Sequence, residues 1–101
     1  MSYFTSFFVY IITNRERTVL YTGITNDLEL RLQQHFLSRG NQSSFTGRYH
    51  VFYLLHCEEF QNPTEAIARE KEIKGWRREK KMKLIQSTNP KLVFLNDGMF
   101  K

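Results

Sequence analysis

The chain has 101 residues, of which 41% are hydrophobic and 25% charged, enough for one domain with a modest core and too apolar for wholesale disorder. Its net charge of +5 favours a polyanionic partner. Its single cysteine, Cys57, excludes an intramolecular disulfide framework and a cysteine-based zinc site. We therefore expect one domain over residues 1–101 in a reducing, cytoplasmic setting.

The apolar start, MSYFTSFFVYIIT, is expected to be a short lead-in followed by a buried strand. No basic residue precedes it, no small-residue cleavage site follows it, and it is too short to span a bilayer. The sequence therefore predicts no membrane partner.

The first two strands are predicted to form a hairpin. Aromatic and β-branched residues fill 7–13 and 18–22, and the polar letters NRER between them form a loop. If Thr13 faces Thr18, Tyr10 lies opposite Tyr21 on the same face of the sheet. The two phenols would then be neighbours.

A helix is predicted to follow at once. Gly23 permits a close structural turn, and Asn26 is a suitable N-cap with Glu29 as its capping-box partner. The helix covers about 27–37, with one apolar stripe at four-residue spacing and a second, polar stripe that includes Arg31 and His35.

The second half of the chain supplies one more strand and two more helices. A polar, exposed loop over 38–50 precedes a strand at 51–56, whose apolar character favours a central or well-covered position. Asn62 caps a helix that weakens at Gly75, and another helix covers about 78–86. The tail KLVFLND is either an extra strand or a packed extension. The order β-β-α-β-α-α predicts an α+β fold with a three-stranded central antiparallel sheet flanked by helices.

Glu70 is out of place for a purely structural role. It follows Ala66 by four residues and Ile67 by three, which would turn it toward the core. A carboxylate there needs a cation or a metal. Taken alone, the favoured explanation is a glutamate at the margin of the core-facing apolar stripe that Ala66, Ile67 and Ile73 form, extended toward solvent or paired with a nearby arginine.

Tyr10, Tyr21, Arg31 and Glu70 together suggest a phosphodiester site, although each has an ordinary structural explanation. An arginine stabilises developing phosphate charge, and a carboxylate holds a Mg²⁺-type cation. A tyrosine can position or deprotonate a water.

The segment 69–83 carries eight Lys and Arg residues against three Glu, a surplus equal to the whole net charge. It predicts a nucleic-acid-binding face, the alternative being a solvated, salt-bridged helix pair. Trp76 within it could stack on a base, but a core position is favoured. The residues predicted to contact nucleic acid are Arg31, Arg48, Lys74, Arg77, Lys80 and Lys81.

These residues also resemble the GIY-YIG nucleases, which include the N-terminal domain of the bacterial excinuclease C subunit. The two family motifs would read Phe8-Val9-Tyr10 and Tyr21-Thr22-Gly23. The family arginine falls on Arg31 and the metal-binding glutamate on Glu70. The chain is similar to the small stand-alone bacterial branch over 7–90. Two departures are Phe8 in place of a glycine and Ile24 in place of a lysine found in some branches.

The resemblance implies hydrolysis of DNA phosphodiester bonds with one divalent metal ion, Mg²⁺ or Mn²⁺, on Glu70. Tyr10 would be the general base or orient the water, with Tyr21 assisting. Arg31 would bind the phosphate, and His35 would support the nucleophile or substrate. The late family asparagine would be Asn89 or Asn96, with Asn89 preferred.

The leading hypothesis is therefore a metal-dependent endonuclease in DNA repair or recombination. The alternatives are a non-catalytic DNA-binding module on the same fold and a domain whose exposed aromatics dock another protein. A protein partner for targeting and the oligomeric state stay open.

Overall fold

The computed structural model describes residues 5–100, without the side chain of residue 100. Most of the expected lead-in before the first strand lies outside that range. The elements, in chain order, are β1 Phe7–Thr13, β2 Leu20–Thr25, α1 Leu28–Leu37, α2 Phe45–Arg48, β3 Tyr53–Phe60, α3 Pro63–Lys74, α4 Arg78–Thr88 and a 3₁₀ turn Asp97–Phe100. Apart from the short α2, this is the predicted α+β order. In this range, no helix combines the length and apolar character needed to cross a bilayer.

The sheet is antiparallel with strand order β2-β1-β3, so the aromatic first strand is central. The predicted hairpin register was wrong by two residues: Thr13 faces Leu20, and Tyr10 faces Gly23 rather than Tyr21. The cause is the Asn14 side chain, whose Oδ1 accepts hydrogen bonds from the backbone N–H groups of Thr18 and Val19. The loop is consequently longer than predicted, and β2 begins later.

The two faces of the sheet are covered by different helices. On one face, Tyr10 and Ile12 pack with Leu32 of α1. On the other face, Ile11 packs with Ile73 of α3 and with residues of α4. The core therefore has two layers separated by the central strand. This arrangement follows from the alternation of side chains along β1, which is buried on both faces.

The helix ends are capped by side chains, with one difference from prediction. Asn62 caps α3 as expected, accepting from the N–H groups of Thr64 and Glu65. The N-cap of α1 is Asp27 rather than Asn26, and its carboxylate accepts from Leu30 N–H. Asp27 is favoured because its negative charge also complements the positive end of the helix dipole.

Gly23 does not form a turn, which corrects its predicted role. It lies inside β2, and the chain leaves the strand only after Thr25. The predicted exposed loop over 38–50 also needs correction, since it contains α2 with Ser44 as N-cap and with Thr46 buried. The polar sequence of this segment predicted only a loop, whereas the structure has a four-residue helix that packs on α1.

β3 was predicted to be either central in the sheet or well covered. It is an edge strand, so the central position is wrong, but the strand is well covered. Leu95 N–H donates to Leu54 O, and the side chains of Asn89 and Asn96 bond to the β3 backbone. The tail is thus a packed extension rather than a strand. It covers an edge that would otherwise expose unpaired backbone groups.

Candidate functional site

A chain of hydrogen bonds joins the central strand to α1 and α2. The Tyr10 hydroxyl lies 2.9 Å from His35 Nε2, and His35 Nδ1 lies 3.2 Å from Thr46 Oγ1. All three residues are buried. Because a neutral imidazole has one donor and one acceptor, either Tyr10 donates to Nε2 while Nδ1–H donates to Thr46, or all the donors are reversed.

Gly23 determines where the Tyr10 ring can lie. The two residues face each other across the β1–β2 ladder, and the ring lies over the glycine. A Cβ at position 23 would come within 2.5 Å of Tyr10 Cζ and closer still to the hydroxyl oxygen. Gly23 therefore serves the site by letting the phenol extend over β2 toward the edge of the sheet.

Tyr21 lies beside Tyr10 despite the different register. The two-residue shift preserves the face on which each side chain lies, so the tyrosines become diagonal neighbours. Their ring centroids are 6.5 Å apart, and the Tyr21 ring lies 5.7 Å from the His35 ring. The structure thus brings together both tyrosines and His35.

Arg31 is partly buried beside the two phenols. Interaction with Tyr10, and more weakly with Tyr21, raises the pKa of its guanidinium, so it is always charged. Burial raises the pKa of the Tyr10 hydroxyl, although Arg31 opposes that shift. The Arg31 Nη1 atom donates to Gln34 Oε1 at 3.2 Å, which holds the guanidinium along α1.

His35 is held in its neutral form. Burial, followed by the charge of Arg31, lowers its pKa to about 4. At neutral pH the imidazole can therefore accept a proton from Tyr10 without first losing one of its own. A neutral base and a charged arginine thus flank the same phenol.

Glu70 approaches the site from α3, which packs on β1 and β2. Its side chain is 14% exposed, and its charge contributes to raising the pKa of Tyr10. Its carboxylate is paired with Lys74 Nζ at 3.1 Å, and Lys74 is half exposed. Ile67, by contrast, is 46% exposed, so its predicted place on the core-facing stripe was wrong. Glu70 lies at the margin of that stripe.

The donor set fits a divalent ion that keeps most of its own water. Within residues 5–100, no three His, Cys, Asp or Glu side chains converge on a common point. Mg²⁺ is commonly held by one or two carboxylates, together with waters and substrate phosphates. Glu70 could supply the one carboxylate once the Lys74 ammonium moves into solvent.

The predicted basic residues lie on two surfaces. Lys74, Arg77 and Lys80 are exposed around the junction of α3 and α4, and Lys81 is partly buried beside them. Trp76 packs against the core as predicted, with Lys80 Nζ 4.4 Å from its ring centroid. Arg48 is exposed on α2, separately from that group.

Asn89 is not brought to the site. Its Nδ2 donates to Leu55 O and Val93 O, and its Oδ1 accepts from Val93 N–H. Asn96, the other candidate, bonds to Leu54 and Phe52. Both asparagines lie beyond β3, at the opposite edge of the sheet from β2, so their observed role is structural.

Sequence reasoning missed the contribution of α2. Thr46 bonds His35, and the Phe45 ring stacks on Tyr21 with centroids 6.2 Å apart. The signal was present in the letters SFTG, because Ser44 is a good N-cap and its Oγ accepts from Gly47 N–H. A helix of four residues is too short for a periodic pattern to reveal.

Comparison with known proteins identifies the class of protein to which this α+β fold belongs. The family model described as the GIY-YIG catalytic domain matches residues 6–83. This chain belongs to the GIY-YIG family, for which a nuclease-type function and DNA binding are implied.

The relatives are small stand-alone members of that family. A UPF0213 protein of Staphylococcus aureus strain Mu3 is 36% identical over 81 residues, which cover 80% of this chain and 95% of that protein. A UPF0213 protein of strain USA300 matches equally well. The solution NMR structure of the UPF0213 protein BH0048 from Bacillus halodurans superimposes with a TM-score of 0.54 at 28% identity, covering 85% of this chain and 88% of that one.

Proposed function

We propose that this protein is a metal-dependent endonuclease that hydrolyses DNA phosphodiester bonds. The observation that carries the proposal is the Tyr10 hydroxyl, which lies 2.9 Å from the neutral His35 imidazole and interacts with the charged Arg31 guanidinium. A buried phenol so placed can exchange a proton on one side while a phosphate is held on the other.

Tyr10 and His35 form the proton path in this proposal. As water attacks phosphorus, the Tyr10 oxygen takes a proton from the water and passes its own proton to His35 Nε2. The P–O bond to one sugar oxygen of the cut strand breaks, and that leaving oxygen takes a proton from solvent water. The raised pKa of Tyr10 keeps the phenol protonated at rest, and the lowered pKa of His35 keeps its acceptor free. Thr46 holds the ring in the required orientation.

Arg31 and Tyr21 stabilise the phosphoryl group. Arg31 stays charged beside the phenols, where reduced access of water strengthens its interaction with the extra negative charge of the transition state. Tyr21 supports the substrate from the diagonal position on β2. This division of roles makes Tyr10 the proton carrier and Arg31 the charge stabiliser.

Glu70 is the residue that would hold the divalent ion, Mg²⁺ or Mn²⁺. When bound, such an ion lowers the pKa of water and neutralises phosphate charge. To bind the ion, Glu70 has to release Lys74. Because Lys74 is half exposed, water can solvate its ammonium group after release, so the exchange costs little free energy. Lys74 released in this way could contact the DNA backbone.

DNA binding would use both basic surfaces, around the α3–α4 junction and at Arg48. Phosphate contacts of this kind supply affinity without reading sequence. We place the activity in DNA repair or recombination, in the cytoplasm, with a protein partner for targeting left to experiment.

One observation favours a second candidate, a non-catalytic DNA-binding module on the same fold. The Glu70 carboxylate is already neutralised by Lys74 at 3.1 Å, as expected of a structural ion pair. In that case the +5 charge would serve binding alone.

The deciding experiment is cleavage of labelled single-stranded, duplex, flapped and branched DNA with Mg²⁺, Mn²⁺ or EDTA. Glu70→Gln is compared with Glu65→Gln, which removes the same charge from an exposed position of the same helix. We expect metal-dependent cutting by the wild type and Glu65→Gln, and none by Glu70→Gln. Salt-sensitive binding without cutting by any of the three would favour the binding module.

A further inference from the structure

The short helix α2 and its C-cap residue, Tyr49, present two aromatic side chains to solvent beside the site. Phe45 is 50% exposed and Tyr49 is 45% exposed. Large aromatic residues are usually buried, because each exposed ring forgoes the free energy of removing its surface from water. Two exposed aromatic side chains so close together therefore indicate a binding surface.

The exposed rings continue the aromatic surface of the site. The Phe45 ring is stacked on Tyr21, with planes 29° apart, and Tyr49 lies 5.1 Å from Phe45. Tyr21 in turn lies 6.5 Å from Tyr10. We call Phe45 and Tyr49 the aromatic step. It leads outward from the residues proposed to bind the scissile phosphate.

The backbone holds this step in place. Gly47 packs so tightly that a Cβ there would come within 2.6 Å of Ser38 O, and Gly47 O accepts from Gly40 N–H. Val51 N–H donates to Thr46 O, and His50 takes a left-handed conformation with φ of 55°. The aromatic rings are therefore exposed on a firmly anchored turn.

The surroundings of the step are basic. The segment 38–50 contains two arginines and no carboxylate. Arg48 is exposed on the same helix, and a cleft beside Tyr49 is lined by two arginines, Arg15 and Arg39, and by one carboxylate, Glu16. A flat apolar surface bordered by cations matches the heterocyclic rings and phosphates of a nucleic-acid strand, because bases stack and phosphates pair with arginine.

We propose that the aromatic step stacks an unpaired base next to the scissile phosphate, so that the substrate is DNA with at least one unpaired nucleotide at the cut. Bases inside a duplex are stacked on each other and offer no free face to Phe45 or Tyr49. This inference rests on the proposed function for the location of the scissile phosphate, but the stacking itself needs no cleavage.

The test measures binding in EDTA, where no metal-dependent cutting occurs. A hairpin with a single-stranded tail is compared with a fully paired hairpin of equal charge, with the fluorescent base 2-aminopurine in the tail or in the stem. We expect the wild type to prefer the tailed DNA and to quench 2-aminopurine only in the tail. Tyr49→Ala and Phe45→Ala should each weaken binding of the tailed DNA about tenfold, while binding of the paired DNA stays unchanged.

Three variants serve as controls. Tyr49→Phe and Phe45→Tyr keep a stacking ring and should keep the preference. Leu37→Ala removes an aliphatic side chain that is 77% exposed at the end of α1 and has no ring to stack, and should behave as the wild type. Tyr49→Ala keeps the test decisive if Phe45→Ala disturbs Tyr21, because Tyr49 is one ring further from the site.

Equal binding of both hairpins by the wild type, or equal loss on both in the alanine variants, would overturn the inference. If the protein cleaves fully paired DNA and Tyr49→Ala does not change that cleavage, the stacking inference is overturned, but the nuclease proposal stands. Quenching in the tail without cleavage under any metal condition would support the stacking site and count against the nuclease.

Discussion

At the scale of single residues, the environment of Tyr10 is the central feature. Its ring comes from the central strand, its hydrogen-bond partner from α1 and the space for its ring from Gly23 on β2. Each neighbour restricts a different degree of freedom of the phenol. Catalytic groups need this kind of restraint, since small displacements of a reacting atom reduce rates strongly.

Gly23→Ala should disturb both stability and activity. The added Cβ would overlap the buried Tyr10 ring, which cannot move freely because His35 holds its hydroxyl. We expect the free energy of unfolding to fall by about 1–3 kcal/mol, as measured by urea denaturation. We also expect the variant to lose most of its cleavage rate. Gly98→Ala is the control, because nothing lies within 4 Å of a Cβ there. Equal stability of both variants would contradict the observed packing.

The buried His35 should make stability depend on pH. Its pKa is about 4 in the folded protein and 6.5 in the unfolded chain, so the unfolded state binds the extra proton first as pH falls. The contribution of neutral His35, up to about 3 kcal/mol, is complete above pH 6.5 and is lost progressively as pH falls to about 4.

Urea denaturation at a series of pH values checks this expectation. His35→Gln should lower stability at pH 7 and flatten its decline between pH 6.5 and 4. The control is His50→Asn at an exposed position, where asparagine is chosen because the backbone is left-handed. In this variant the free energy of unfolding should decline with falling pH as it does in the wild type. A slope unchanged by His35→Gln would mean that the imidazole is not buried as described.

At the scale of secondary-structure elements, the helix ends differ in a way that matches their proposed use. Asn62 and Asp27 cap α3 and α1 with side-chain hydrogen bonds. The N-cap of α4 is Arg77, which makes no such bond. An arginine at this position gives up a cap and places a positive charge at the positive end of a helix dipole, both unfavourable for stability.

Arg77→Asn should therefore raise stability and weaken DNA binding at once. The asparagine can cap α4, which is worth about 1 kcal/mol, while the lost charge removes a phosphate contact. Thermal unfolding and DNA titration at several salt concentrations measure the two effects. Arg77→Ala is the matched control, losing the charge without gaining a cap. If Arg77→Asn bound DNA as tightly as the wild type, Arg77 would be removed from the binding surface.

At the scale of the whole molecule, the two edges of the sheet differ in structure: the tail covers one edge, and the proposed site lies toward the other. The tail, Asn89 and Asn96 cover the β3 edge, whereas the Tyr10 ring extends over β2 toward the other edge. α3 packs on β1 and β2, and the charge of Glu70 on this helix contributes weakly to the raised pKa of Tyr10. A sheet of three strands leaves a central residue one strand away from each edge. Tyr10 itself is buried, so the exposed surface of the proposed site comes from Tyr21 and Arg31, which are only partly buried.

The basic surface at the α3–α4 junction should account for much of the salt dependence of DNA binding. Replacing Lys74, Lys80 and Lys81 together by Ala should weaken binding and reduce the slope of log affinity against log salt by about 2–3. Lys91→Ala, an exposed lysine on the tail, gives the effect of one remote charge. An unchanged slope in the triple variant would place the DNA elsewhere on the molecule.

Much of the fold could be predicted because local patterns were strong. The element order and the cap of α3 were correct. The meeting of Tyr10 and Tyr21 was also anticipated, although from a wrong register, whereas the place of His35 near them followed only from the family resemblance. The prediction for the two tyrosines survived because an error of two residues preserves the face on which a side chain lies. An error of one residue would have separated the tyrosines.

The sequence alone determined which residues are apolar, where α3 starts and which strand faces carry the tyrosines, since these depend on neighbours within a few positions. The tertiary structure alone decided that Gly23 makes room for Tyr10, that α2 supplies Thr46 to His35, and that Asn89 serves the far edge. Those facts depend on contacts between residues distant in the chain, whose energies no local pattern records.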